Sequence, residues 1–91
     1  MHRVLTRFWI EFEQQSGVPL PGGAGIGVGV TAFDRDHTLR LVKERIFDAD
    51  PLPSIKELRE DVDVSMLDEG HVIPNMEPPH TRGIWFPRGY S

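Results

Sequence analysis

The sequence predicts an α+β fold, in which an antiparallel sheet of three to four strands carries one main helix on one face. Three observations support this prediction: an alternating apolar pattern near the start, a second apolar strand after a glycine-rich stretch, and an amphipathic helix. With 91 residues, the chain is expected to form a single domain over 1–91 around one hydrophobic core. The predicted order is two strands, the helix, a third strand, a short helical turn and a final short strand.

The first strand is predicted over 3–13, where apolar residues recur with period two. Residues such as Phe8 and Ile10 point to one face, whereas Glu11 points to the other. Trp9 shares this second face with the charged residues. The second face therefore carries an apolar patch that either the tail or another subunit would cover.

Residues 14–25 are predicted to form a connecting loop, because they contain two prolines and four glycines. A second strand follows over 26–33, with Gly27 and Gly29 on one of its faces. Two glycines on one face leave a flat trough that a neighbouring aromatic ring can fill. If the first two strands pair antiparallel, Trp9 is expected to lie over these glycines.

The main helix is predicted over 35–47, with Asp34 or Asp36 as its N-cap. Its apolar stripe has helical spacing and is expected to pack on the first face of the sheet. The residues of this stripe are Leu39, Val42 and Ile46.

Residues 54–64 fit two structures, because their apolar positions suit both a capped helix and one face of a strand. We predict a third strand over 55–63. A helical turn is predicted over 65–69, with its first residue, Ser65, as the cap. Residues 70–81 hold three prolines and are predicted to form an ordered irregular loop, and 83–86 the final strand.

The net charge of −4 at pH 7 is unevenly distributed. Residues 48–77, called the acidic half below, hold nine acids against two bases, a net charge of −7. Such a field steers basic partners and repels nucleic acid, although a merely solvated acidic surface is the alternative. The candidate partner-binding residues are Trp9, Asp48, Asp50, Glu60, Asp61, Asp63, Asp68 and Glu69.

No motif in the sequence assigns a catalytic residue or a cofactor, and none is expected. The absence of cysteine excludes disulfides, thiolate metal sites and thiol nucleophiles. The glycines of 22–29 precede a strand instead of opening a helix, which disfavours a phosphate loop. His71 and His80, with Asp68 and Glu69 nearby, are weak candidate metal ligands. A small metal-dependent enzyme using Asp68, His71 and His80 is therefore one alternative function.

The segment from Arg82 to Arg88 supports a second alternative, a binder of single-stranded nucleic acid. It combines Trp85 and Phe86 with two arginines, a composition that stacks on bases and contacts phosphates. The acidity of the chain opposes this function, and core packing is the expected role of the two rings. No apolar run is long enough to span a bilayer, and a cytoplasmic location is expected.

The segment 62–76 (VDVSMLDEGHVIPNM), followed by 82–87 (RGIWFP), resembles a group of small bacterial proteins known as hypothetical proteins. The resemblance extends to 8–12 and 29–34. It implies no activity and no site residue. In outline, two strands, a helix and a further strand are also similar to antitoxin domains and to many immunity proteins, an analogy at the level of fold.

The leading hypothesis is a non-enzymatic protein-interaction module, in particular an immunity or antitoxin-type inhibitor. Its acidic half is expected to bind a basic protein partner, because size, charge and the lack of a catalytic motif agree. A homodimer is a further expectation, since an open sheet leaves edge strands.

Overall fold

A computed structural model describes residues 4–13, 20, 24–67, 69–70 and 72–89. The strands are β1 (Thr6–Phe12), β2 (Val28–Ala32), β3 (Ile55–Glu60) and β4 (Gly83–Phe86), and the helix is α1 (Arg35–Arg45). Two short 3-10 turns lie at Val64–Met66 and Ile73–Asn75. In this part of the chain, the strands form one antiparallel sheet of order β3-β1-β2-β4. The predicted α+β fold is confirmed.

β1 lies inside the sheet, because it pairs with β2 on one side and with β3 on the other. Phe8 faces Val30 of β2, and Ile10 lies between Val28 of β2 and Leu58 of β3. The predicted alternation therefore holds, and the apolar face of β1 contributes to the core on the helix side.

α1 begins where the sequence predicts, with Asp34 as the cap and not Asp36. The Asp34 carboxylate accepts a hydrogen bond from the His37 amide at 2.7 Å, and the Thr38 hydroxyl donates to the Asp34 carbonyl at 2.9 Å. The first of these bonds satisfies an amide that the first turn of a helix leaves unpaired. The helix ends at Arg45, two residues before the predicted end at 47.

α1 packs on one face of the sheet, over β2 and β4. Its buried side chains are Thr38, Leu41 and Val42, and Ile46 is buried just past its end. Leu39, expected in this stripe, is only partly buried, because the helix turns Leu41 toward the sheet instead. The helix-side core consists of Phe8, Ile10, Phe12, Ala24, Val28, Val30, Ala32, Leu41, Val42, Ile46 and Ile84.

The opposite face of the sheet is also buried, beneath the described part of residues 62–79, which we call the covering segment. The second core on this face consists of Trp9, Leu67, Val72, Trp85 and Phe86, with Val62, Val64 and Met76 packed against it. The sheet is thus the middle of three layers, a helix on one face and an irregular segment on the other.

A bulge in β4 divides its apolar side chains unequally between the two cores. Val30 pairs with Ile84 and Gly29 with Phe86, so Trp85 is an additional residue in β4. An inserted residue lets two consecutive side chains point to the same face. Ile84 accordingly joins the helix-side core, while Trp85 and Phe86 both join the second core.

The region 54–64 forms the strand that we predicted, although β3 ends at Glu60 and not at residue 63. Asp61 has a φ of 55°, a left-handed conformation that interrupts a strand. The Val62 amide still donates to the Arg7 carbonyl at 3.1 Å, so the chain remains attached to β1 beyond this point.

The helical turn predicted over 65–69 with Ser65 as its cap is wrong in position. The turn is Val64–Met66, and its cap is Asp63, whose carboxylate accepts from the Ser65 amide. Ser65 itself donates to Asp63 and lies inside the turn. Within the predicted loop 70–81, Val72 is buried. Most of the predicted loop 14–25 lies outside the described residues.

Candidate functional site

Trp9 lies over Gly27, as the glycine pattern predicts. A Cβ built on Gly27 would lie 2.3 Å from Cζ2 of Trp9, whereas Gly29 is covered by the ring of Trp85. The Trp9 ring is tilted against those of Trp85 and Phe86, with centroids 6.1 and 5.6 Å away. These three rings form the centre of the second core.

The placement of Trp9 corrects its assignment as a partner-binding residue. Its side chain is only 3% exposed, and its indole N–H donates to the Glu11 carboxylate at 3.3 Å. The apolar patch on this face is covered by residues of the same chain. Trp9 is therefore a core residue with no surface to offer a partner.

The aromatic residues proposed to stack on nucleic acid are buried as well. Trp85 and Phe86 are 1% and 2% exposed, so neither ring presents a face to a base. The indole Nε1 of Trp85 is buried and has no acceptor among the described residues. Arg88 donates to the Met76 carbonyl at 3.2 Å, a contact that attaches the end of the chain to the covering segment.

The acidic candidates lie at three places in the fold, and every one that the structure describes is exposed. Asp48 and Asp50 lie in the turn after α1, where Asp48 has a φ of 51°. Glu60 and Asp61 lie at the end of β3. Asp63 and Glu69 belong to the covering segment, and Asp68 lies outside the described residues.

Arg59 balances part of the acidic charge beside β3. Its guanidinium lies 3.5 Å from a carboxylate oxygen of Glu11 and 3.6 Å from one of Glu57. Exposed pairs of this kind contribute little to stability. They do hold the Arg59 side chain along the outer strand of the sheet.

The Asp63 carboxylate is the acidic candidate with a defined electrostatic environment. Its Oδ1 accepts from the Ser65 hydroxyl at 2.7 Å and from the Ser65 amide at 3.0 Å. The hydrogen bond from the hydroxyl is the largest cause that holds the pKa of Asp63 below its ordinary value of 3.8, and the bond from the amide is the second. Both bonds favour the charged form.

A lowered pKa means that Asp63 stabilises the fold above pH 3.8, and that this stabilisation disappears as pH falls through the folded-state pKa. We expect Ser65→Ala to raise the pKa of Asp63 toward its ordinary value. Carbon-detected NMR titration of the carboxyl group measures this directly. An unchanged pKa in Ser65→Ala would show that the serine hydroxyl is not its main cause.

A shallow groove of about 680 Å³ runs along the covering segment. Its lining is mostly apolar and includes Val64, Ile73, Met76, Pro78 and Pro79. Charged side chains also line it, namely Glu69, Glu77 and Arg88. Ile73 is 36% exposed, and Met66, in the same 3-10 turn as Val64, is 81% exposed. The acidic half thus contains an apolar surface with carboxylates beside it.

The groove is built on a segment that hydrogen bonds hold in place. The Glu77 amide donates to the Trp85 carbonyl at 2.7 Å, and the Glu77 carboxylate accepts from the Gly89 amide at 3.2 Å. The hydroxyl of the buried Thr31 donates to the Pro79 carbonyl. The sequence analysis did not predict the groove. The pattern that could have indicated it is the set of apolar residues placed among prolines and Glu77 at 72–79.

A second cavity, of about 330 Å³, lies at the start of α1 beside His37, Arg40 and Arg82. His37 accepts a hydrogen bond from the Phe33 amide through Nδ1 at 3.3 Å and stacks on the Phe33 ring. Asp34, which also lines this cavity, is occupied as the helix cap. These contacts account for His37 and Asp34 as parts of the helix start.

In the described residues, no group of three or more histidines, aspartates or glutamates could hold a metal ion. His80 is exposed, while Asp68 and His71 lie outside this part of the chain. The metal-dependent alternative that uses Asp68, His71 and His80 therefore remains a prediction.

These features define a class, a small α+β protein whose antiparallel sheet is buried on both faces along β2 and β4, while its outer strand β3 is exposed. No protein-family model, curated protein or solved structure matches the chain. No helix in the described part of the chain is long and apolar enough to cross a membrane.

Proposed function

We propose that this protein is a non-enzymatic interaction module that binds a basic protein partner through its acidic half, as a cytoplasmic inhibitor of the immunity or antitoxin type. The observation that supports this proposal most directly is the groove on the covering segment. It combines an apolar lining with the carboxylates of Glu69 and Glu77, which the guanidinium of Arg88 balances only in part.

The two kinds of surface serve different purposes in binding. Apolar contacts with Ile73 and Met76 supply affinity, because burial removes them from water. The carboxylates around these apolar side chains attract a basic partner and repel an acidic one. The occupant that fits is therefore a peptide segment that carries lysine or arginine together with large apolar side chains.

The covering segment that forms the groove is held in place by the rest of the fold, so a partner can bind without a large loss of conformational entropy. Leu67 and Val72 anchor the covering segment in the second core, where they are 8% and 1% exposed. Glu77 is held to β4 and to the end of the described chain. A surface that is already ordered loses less entropy when a partner binds.

A synthetic peptide of alternating lysine and leucine residues tests the proposal in an NMR titration of the isotope-labelled protein. We expect amide shifts to concentrate at 64–79. Ile73→Ser should weaken binding about tenfold, because it removes apolar surface from the groove. Ile26→Ser is the matched control, since Ile26 is 44% exposed and lies outside the acidic half. Its affinity should equal that of the wild type.

The charge contribution has its own matched pair of variants. Glu69→Lys should slow association and reduce its salt dependence, whereas Glu44→Lys makes the same change on the exposed surface of α1 and should have a smaller effect. Equal effects of the two variants, shifts outside 64–79, or no binding of the peptide would each overturn the proposal.

A further inference from the structure

The two outer strands of the sheet differ in exposure. All four residues of β4 are buried, and the Trp85 carbonyl accepts a hydrogen bond from the Glu77 amide. In β3, by contrast, five of the six residues are exposed and Leu58 is intermediate. α1 packs on β2 and β4 and thus leaves the β3 side of the sheet without this cover. An exposed outer strand offers backbone donors and acceptors to another strand.

The sequence of β3, IKELRE, is complementary in charge to itself when two copies run antiparallel about Leu58. In that register Leu58 faces Leu58 of the second copy. Glu57 faces Arg59 of the second copy, and two-fold symmetry repeats this pair. Opposite charges directly across an antiparallel pair are stabilising.

The neighbouring registers lack this complementarity. A shift by one residue places Glu57 opposite Glu60 in one direction, and opposite the uncharged Leu58 in the other. A further shift places Glu57 opposite itself or Arg59 opposite itself. Like charges directly opposite are destabilising, so the charge pattern selects the register centred on Leu58.

We propose that two copies of this protein associate through β3, in antiparallel register about Leu58, and extend the sheet across a two-fold axis. The regular part of β3 is 57–60, because the pairing with β1 shifts between Glu11 and Phe12 and leaves Lys56 as the additional residue. The pairs formed by Glu57, Leu58 and Arg59 lie within this regular part, and Lys56 precedes it.

The apolar side chain at the centre of β3 supports the same association. Leu58 pairs with Ile10 and is only partly buried against the helix-side core. A second copy that continues the sheet places Leu58 against its symmetry mate. One strand makes a small interface, so the dimer is expected to dissociate in the micromolar range.

The dimer is tested by sedimentation velocity over a dilution series of the wild type and of charge variants. Arg59→Glu places two glutamates opposite each other at both central charge pairs of the interface, and we expect a dissociation constant about tenfold higher. The double variant E57K/R59E restores opposite charges in the same register and should return the constant to within about threefold of wild type. Lys43→Glu, on the exposed surface of α1, is the control for net charge and should leave the constant unchanged.

Three outcomes overturn the inference: a wild type that stays monomeric at every concentration, a dimer that Arg59→Glu leaves intact, and an E57K/R59E variant that fails to recover. Circular dichroism of each variant establishes that it is folded. Because no peptide is present, failure of the dimer leaves the proposed groove function untouched, and failure of peptide binding leaves the dimer untouched.

Discussion

Gly29→Ala should lower the free energy of unfolding by about 3 kcal/mol, because a methyl group at this position has no room beneath Trp85. A Cβ built on Gly29 lies 2.4 Å from Cη2 and Cζ3 of Trp85 and 2.6 Å from Cε3. The indole is 1% exposed and packed against Trp9, so it has no open space to move into. Urea denaturation followed by circular dichroism measures the loss.

A double-mutant cycle separates this clash from other effects of the substitution. Trp85→Leu shortens the side chain above Gly29, so in the double variant part of the loss should return, with a coupling energy of about 1–3 kcal/mol. Gly89→Ala is the contrasting control, because Gly89 has a φ of 101° but no atom within 4 Å of its added Cβ. It should cost about 1 kcal/mol and show no coupling to Trp85. If the effects of Gly29→Ala and Trp85→Leu simply add, the steric explanation is wrong.

Trp9→Ala should lower the free energy of unfolding by about 4 kcal/mol, because it removes the ring that contacts both Trp85 and Phe86. This is a large part of the stability of a typical small domain. The effect is also local, since Leu67 and Val72 of the covering segment belong to the same core. We expect amide hydrogen exchange at 62–79 to accelerate more than exchange in α1.

Ile10→Ala is the matched control, because Ile10 is the next residue of β1 and points into the helix-side core. It is fully buried and should cost about 3 kcal/mol, yet it should not release 62–79 selectively. If Trp9→Ala fails to fold, Trp9→Phe gives the same comparison with a smaller loss. Equal acceleration of 62–79 by the two substitutions would contradict the separation into two cores.

The features that the sequence predicts well depend on neighbouring residues. Asp34 caps α1 because the carboxylate reaches an amide three residues ahead, and β1 alternates because successive side chains of a strand oppose each other. The placement of Trp9 over Gly27 required one further step, the assumption that β1 and β2 pair antiparallel. That pairing is observed.

Other features depend on register, which a single sequence does not display. Gly29 pairs with Trp9 along the sheet, but Trp85 covers it, because the bulge in β4 brings that ring across. The expected position of Ser65 as a cap failed for a related reason. Asp63 and Ser65 are both good caps by residue type, and only the backbone geometry decides between them.

The sequence predicts the candidate site only as an acidic region, whereas the structure shows a groove on its surface. Counting acids identifies 48–77 but does not show that Asp48 lies in the turn after α1 while Glu69 lies beside a groove. Ile73 is partly exposed and lines the groove, since burial of Val72 turns its neighbour outward.

β4 supplies Ile84 to one core and Trp85 and Phe86 to the other, and this shared strand follows β1, β2 and β3 in the sequence. Its partner Val30 precedes Ile84 by on the order of fifty residues, a separation that slows folding. A nascent chain can form β1, β2 and α1 early, but neither hydrophobic layer is complete without the final strand. We therefore expect the two layers to gain and lose their structure together, in one cooperative transition.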